Sequence, residues 1–203
     1  MSDQKSEPIE FDRESKQIQE RYIEPTIEVV NTVEPIDSMT TEEIIVDETL
    51  LLPALPTNVK SFTDYRVYNL LGTPHYRLQA RCGTDEWGLR RFGADYCVAV
   101  GSFYSTDIGD RFEVTLDTGN VITVIVADTK ADRDTDEQHM YSSCMNYDGE
   151  NSANIFEFIV DSDTLPKTVY AYGSVDCISG LNGNIQKMTY LGRDGSGDWT
   201  SYE

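Results

Sequence analysis

From residue 61 onward the chain is built of short runs of Val, Ile, Tyr, Phe and Thr broken by Gly, Asn and Asp. Apolar runs of that length, bounded by turn residues, predict strands over 64–67, 77–79, 96–100, 111–116, 121–127, 155–160, 168–172 and 185–190. Between two of them, Asp117-Thr118-Gly119-Asn120 predicts a hairpin turn. The run 121–127 is almost wholly apolar and β-branched and stops at Asp128, so a buried strand is predicted with a carboxylate at its mouth. Helix signals are sparse. Thr84-Asp85-Glu86 caps one turn, and Ser162-Asp163-Thr164-Leu165 opens another. Strands at this spacing predict an all-β domain, a sandwich or a barrel.

The first 59 residues have a different texture. They contain no Gly, Trp or Cys, are rich in Glu and Asp, and carry prolines at 8, 25, 35, 53 and 56. Ser15 caps a short helix reaching Tyr22, and β-branched or Leu clusters follow at 27–30, 44–46 and 50–52. Such a segment has too few apolar residues to fold alone. Two readings stand: an extended acidic arm adding a strand to a partner's sheet edge, or a disordered leader. The organisation is then an arm over 1–59, a β domain over 60–195 and a tail over 196–203, with Trp199 as the tail's anchor.

Charge narrows the partners. A formal net charge of −20 over 203 residues, without a Lys/Arg stripe, argues against nucleic acid and against anionic membrane. No run approaches the ~18 apolar residues of a membrane span, and the first residues lack the apolar core of a secretory signal. Synthesis in the cytoplasm is therefore expected. Cys82, Cys97, Cys144 and Cys177 form no C-x-x-C pair, which argues against zinc. Cys97 reads as a core residue and the others as thiols; one or two disulfides stay open.

Tyr96-Cys97-Val98-Ala99-Val100-Gly101, Ile108-Gly109, Ala127-Asp128-Thr129 and Phe158-Ile159-Val160-Asp161 follow one another in an order that resembles the three-aspartate double-psi β-barrel. That family includes lytic transglycosylases and resuscitation-type cell-wall proteins. The resemblance covers about 70 residues. It implies a small closed barrel of double-psi type behind the acidic arm, with Asp128 as the acid/base of a peptidoglycan lytic transglycosylase. Gly101 stands where the family has its first Asp, Lys130-Ala131 replace a Gly-Gly, and Glu157 or Asp161 is the counterpart of the last Asp. The wider chain resembles clostridial phage and prophage proteins. That implies a tail-associated virion component made in the host cytoplasm, oligomeric in its assembly and contacting other virion subunits through the arm. The alternative is a non-catalytic structural virion or interaction module.

Beside Asp128, Tyr104 and Tyr141 are candidates for stacking on sugar, with Tyr96, Phe103 and Tyr147 in the same region. Lys130 and His139 are candidates for orienting the glycan. Asp132, Asp134 and Asp136 alternate along one loop, a density of hard oxygens that suits Ca²⁺, although no EF-hand pattern is present. The competing reading is a solvated acidic loop, with no cofactor. His75 and His139 otherwise read as surface histidines. No Ser lies in a G-x-S-x-G context, so a serine hydrolase is disfavoured.

Overall fold

The structure, a computed structural model, describes residues 49–52, 56–145, 151–197 and 199. The helix expected at 15–22, the clusters at 27–30 and 44–46, and Tyr147 lie outside the described residues. The strands are β1 (Thr49–Leu51), β2 (Ser61–Asp64), β3 (Gly83–Thr84), β4 (Arg90–Phe92), β5 (Asp95–Val100), β6 (Asp110–Leu116), β7 (Val121–Thr129), β8 (Ser142–Met145), β9 (Asn151–Asn154), β10 (Glu157–Val160) and β11 (Ile185–Arg193). Two short helices, α1 (Pro74–Arg81) and α2 (Lys167–Tyr172), interrupt them. The class is all-β.

One sheet runs β1-β11-β6-β7-β5-β10-β2, with β4 joined to β5 and β3 to β4; β8 and β9 pair separately. Its two end strands, β1 and β2, are not paired with each other among the described residues. β5 is the hinge of the arrangement, parallel to β7 on one side and antiparallel to β10 on the other. Val98, Val100, Val124, Val126, Phe158 and Ile159 are buried around it, as their near-continuous apolar sequence dictates. β6 alternates buried and half-buried residues down its length, the pattern of a strand with one face on the core.

Three predicted strands are corrected. Residues 77–79 lie in α1, because Thr73 caps the helix by accepting from the Tyr76 N–H (3.2 Å) and Pro74 opens it. Residues 168–172 lie in α2, bracketed by Pro166 and by Gly173, whose left-handed φ of 66° ends the helix. Residues 65–67 form a 3₁₀ turn after β2, capped by Asp64 accepting from the Arg66 N–H. Nor does Thr84 open a helix: Asp85 Oδ1 accepts from the N–H groups of Trp87 and Leu89 and closes a turn. The turn at 162–165 follows β10, and α2 begins only after Pro166.

At the ends of the domain, β1 pairs with β11, Leu50 opposite Met188, so the last part of the arm adds a strand to its own chain's sheet. Trp199 anchors the tail. It is buried, donates from Nε1 to the Asp194 carbonyl (2.9 Å) and meets Phe92 edge-on. Just before β2, Lys60 is wholly buried, and its ammonium donates to Asp176 Oδ1 (2.8 Å) and the Gly183 carbonyl (2.6 Å). Burial pushes its pKa down, against the pull of Asp176.

Candidate active site

Strand register brings two carboxylates into one row. Glu157 of β10 is the cross-strand partner of Ala99 in β5, and Ala99 is the partner of Asp128 in β7. Cross-strand partners share a face, so the two acids stand on either side of a single buried methyl group, with Cα atoms about 10 Å apart across two strand spacings. The shift in register between Val98 and Ala99 is what makes this row: without it Ala99 would face Ala127 and Asp128 would turn to the other side.

Tyr68 and His75 cover Asp128. Tyr68 donates its phenol to Oδ2 (3.0 Å), and His75 Nε2 lies 3.0 Å from Oδ1. The two rings stack, 6° from parallel with centroids 5.9 Å apart. His75 is placed by the cap that starts α1, one residue beyond Pro74. Burial first, and then the charge of Asp128, pushes the Tyr68 phenol well above its usual range, so it remains a donor. The Asp128 and His75 side chains are still 28% and 33% exposed, enough for a substrate to reach them.

Glu157 has a raised pKa. Burial is the largest cause, opposed by Lys130 and reinforced by Asp128. An acid whose proton affinity is raised, beside a carboxyl group that accepts from Tyr68 and lies 3.0 Å from His75 Nε2, is a pairing suited to acid–base cleavage. Next to it opens a cleft of about 350 Å³ lined by Tyr65, Arg66, Tyr68, Asn69, Tyr76, Gln79 and Ala80. Tyr68 belongs both to its wall and to Asp128. Buried Arg90 holds two of these residues, donating to the Gln79 carbonyl, and to that of Cys82, at the end of α1 and lying 4.3 Å from the Tyr65 ring centroid.

No protein-family model, curated protein or solved structure matches this chain. The geometry therefore carries the chemistry alone.

Asp128 occupies the end of β7, as its place in the sequence predicts. Of the residues expected around it, Lys130 reaches Glu157 through its charge. Lys130 turns its ammonium inward to Ser142 Oγ (2.7 Å) and the carbonyls of Asn154 and Ile155. Tyr104 is buried, with no hydrogen-bond partner for its hydroxyl among the described residues, and burial raises its pKa. Tyr141 is half-buried against the core. His139 meets Thr135 Oγ1 through Nδ1 (2.9 Å), within its own loop. The acids of that loop are each engaged locally. Asp136 Oδ1 accepts from the N–H groups of Met140 and Tyr141, Asp132 Oδ1 accepts from Ser102 Oγ (2.8 Å), and Asp134 lies 3.7 Å from Arg133. No three metal-ligating side chains converge among the described residues.

Gly101 sits against the backbone of the loop at His139. A Cβ there would collide with the carbonyl oxygen of His139, so this seat takes no side chain, an aspartate included. Sequence reasoning passed over Tyr68 and His75 as site residues. The signal that could have found them was Thr73-Pro74, which sets up α1 and so aims His75; nothing local marks Tyr68.

Proposed function

We propose that the chain is a tail-associated virion component whose β domain is directed at the bacterial cell wall, and that Asp128 and Glu157 together cleave peptidoglycan glycan strands. The carrying observation is the in-register row Glu157–Ala99–Asp128, with Tyr68 donating to Asp128 and His75 Nε2 3.0 Å from it. Glu157 gives its proton to the glycosidic oxygen as the C–O bond breaks. Asp128 takes the proton of the sugar's own 6-hydroxyl as that oxygen closes on the anomeric carbon, and the proton then returns to Glu157 through water. The cleft beside Tyr68, with three tyrosines in its wall, suits stacking against sugar. The two parallel pairs, β5 with β7 and β10 with β2, support connections of the double-psi type. The virion setting and the docking of the arm on other subunits rest on the resemblance in sequence.

The second reading, a non-catalytic virion module, is favoured by one observation: the closed seat at Gly101, where the related barrels carry an acid. Incubating the full chain with purified peptidoglycan and analysing the products by mass separates the two. Anhydro-sugar ends that disappear in Asp128→Asn and Glu157→Gln are expected. Absence of any released fragment between about pH 4 and pH 8, the span over which a raised glutamate titrates, leaves the assembly role.

A further inference from the structure

Away from the carboxylate row, two thiols face each other. Cys82, the residue that ends α1, and Cys97, in the middle of β5, bring their sulfurs to 3.3 Å. They stand 15 residues apart in sequence, so the contact is made by the packing of α1 over the sheet. Cys97 is wholly buried, whereas Cys82 is only half-buried and can be reached from outside. The surroundings favour a thiolate at Cys82. Its hydrogen bond with Cys97 is the largest influence lowering its pKa, against burial, with Arg90 and Arg81 adding to the same effect. Burial raises the Cys97 thiol. The buried Gln79 side chain lies beside Cys97 and acts on its sulfur as a hydrogen-bonding neighbour, against the effect of burial.

We propose that Cys82 and Cys97 form a reversible disulfide tying the end of α1 to β5, with Cys82 as the entering thiol and Cys97 as the resolving one. The oxidant is a low-molecular-weight disulfide of the glutathione type. The Cys82 thiolate attacks one sulfur of it, its S–S bond breaks, and one glutathione leaves as thiolate. Cys97 then loses its proton and attacks the Cys82 sulfur, displacing the second glutathione, and the two departing thiolates end as two thiols. Two protein thiols are oxidised and one disulfide is reduced. Cys177 is exposed, its sulfur donates to the Ser174 carbonyl (3.5 Å), and it has no thiol neighbour among the described residues, so it is the internal control.

The test equilibrates the full chain in glutathione buffers of increasing oxidised fraction, quenches with acid, alkylates the remaining thiols after unfolding and maps the peptides by mass. The expected result is one linked peptide pair, Cys82 with Cys97, lighter than the two thiol peptides by about 2 Da and restored by dithiothreitol. In Cys97→Ser the same treatment is expected to leave Cys82 carrying a glutathione. The proposal is overturned if both cysteines are recovered alkylated even in oxidised glutathione alone, if Cys82 of the unaltered chain stops at the glutathione adduct, or if the bridge joins other cysteines. Should Cys97→Ser fail to fold, the peptide map of the unaltered protein decides by itself.

Discussion

Glu157 is the residue on which the proposed chemistry and the stability both turn. Its pKa in the folded chain lies above the ordinary value of 4.5, because burial and Asp128 outweigh Lys130. The fold thus binds that proton more tightly than the unfolded chain does. The stabilisation is complete below about pH 4.5 and is lost as pH rises through the raised value. Glu157→Gln keeps the shape and removes the charge. Its melting temperature is expected to exceed that of the unaltered chain by about 2 °C near pH 7 and to converge with it near pH 4, measured by calorimetry across pH. The same substitution is expected to lower glycan release at least ~100-fold. A variant that loses stability at neutral pH contradicts the buried-acid assignment.

At the scale of elements, the spacing between the two acids is set by Ala99, whose methyl group is all that stands between them. Ala99→Val pushes two further carbons into a close-packed strand. A loss of about 1–3 kcal/mol in urea unfolding is expected, with glycan release falling further than stability accounts for. β5, β6, β7 and β11 were readable in the sequence, because β-branched runs flanked by Gly and Asn leave few alternatives. α1 and α2 were not, since Arg77-Leu78-Gln79 and Thr168-Val169-Tyr170 contain enough apolar and β-branched residues to pass for strands. The deciding signals are single residues outside those runs: Thr73 and Pro74 before one, Pro166 and Gly173 around the other. Asp128 was legible because it ends an apolar run. Tyr68 and His75 reach it from 60 and 53 residues away in sequence, and only tertiary packing makes that meeting.

For the molecule as a whole, Lys60 joins the segment before β2 to the turns that precede β11. Removing one partner of a buried ion pair costs most when the charge left behind is the buried one, and here Lys60 is wholly buried whereas Asp176 is 28% exposed. Asp176→Ala strands the Lys60 ammonium and is expected to cost about 3 kcal/mol, whereas Lys60→Met is expected to stay within about 1 kcal/mol of the unaltered chain; urea titrations of both variants measure the difference. Equal losses would mean that the pair itself, and not the solvation of its lysine, holds the ends together. Tyr68 has a consequence at this scale too. Its hydroxyl points at Asp128 while the residue borders the neighbouring cavity, so a guest that recruits that hydroxyl takes a hydrogen bond away from the aspartate. Such a tie acts in both directions: whatever alters the aspartate must alter, by the same factor, how firmly the cavity holds its guest.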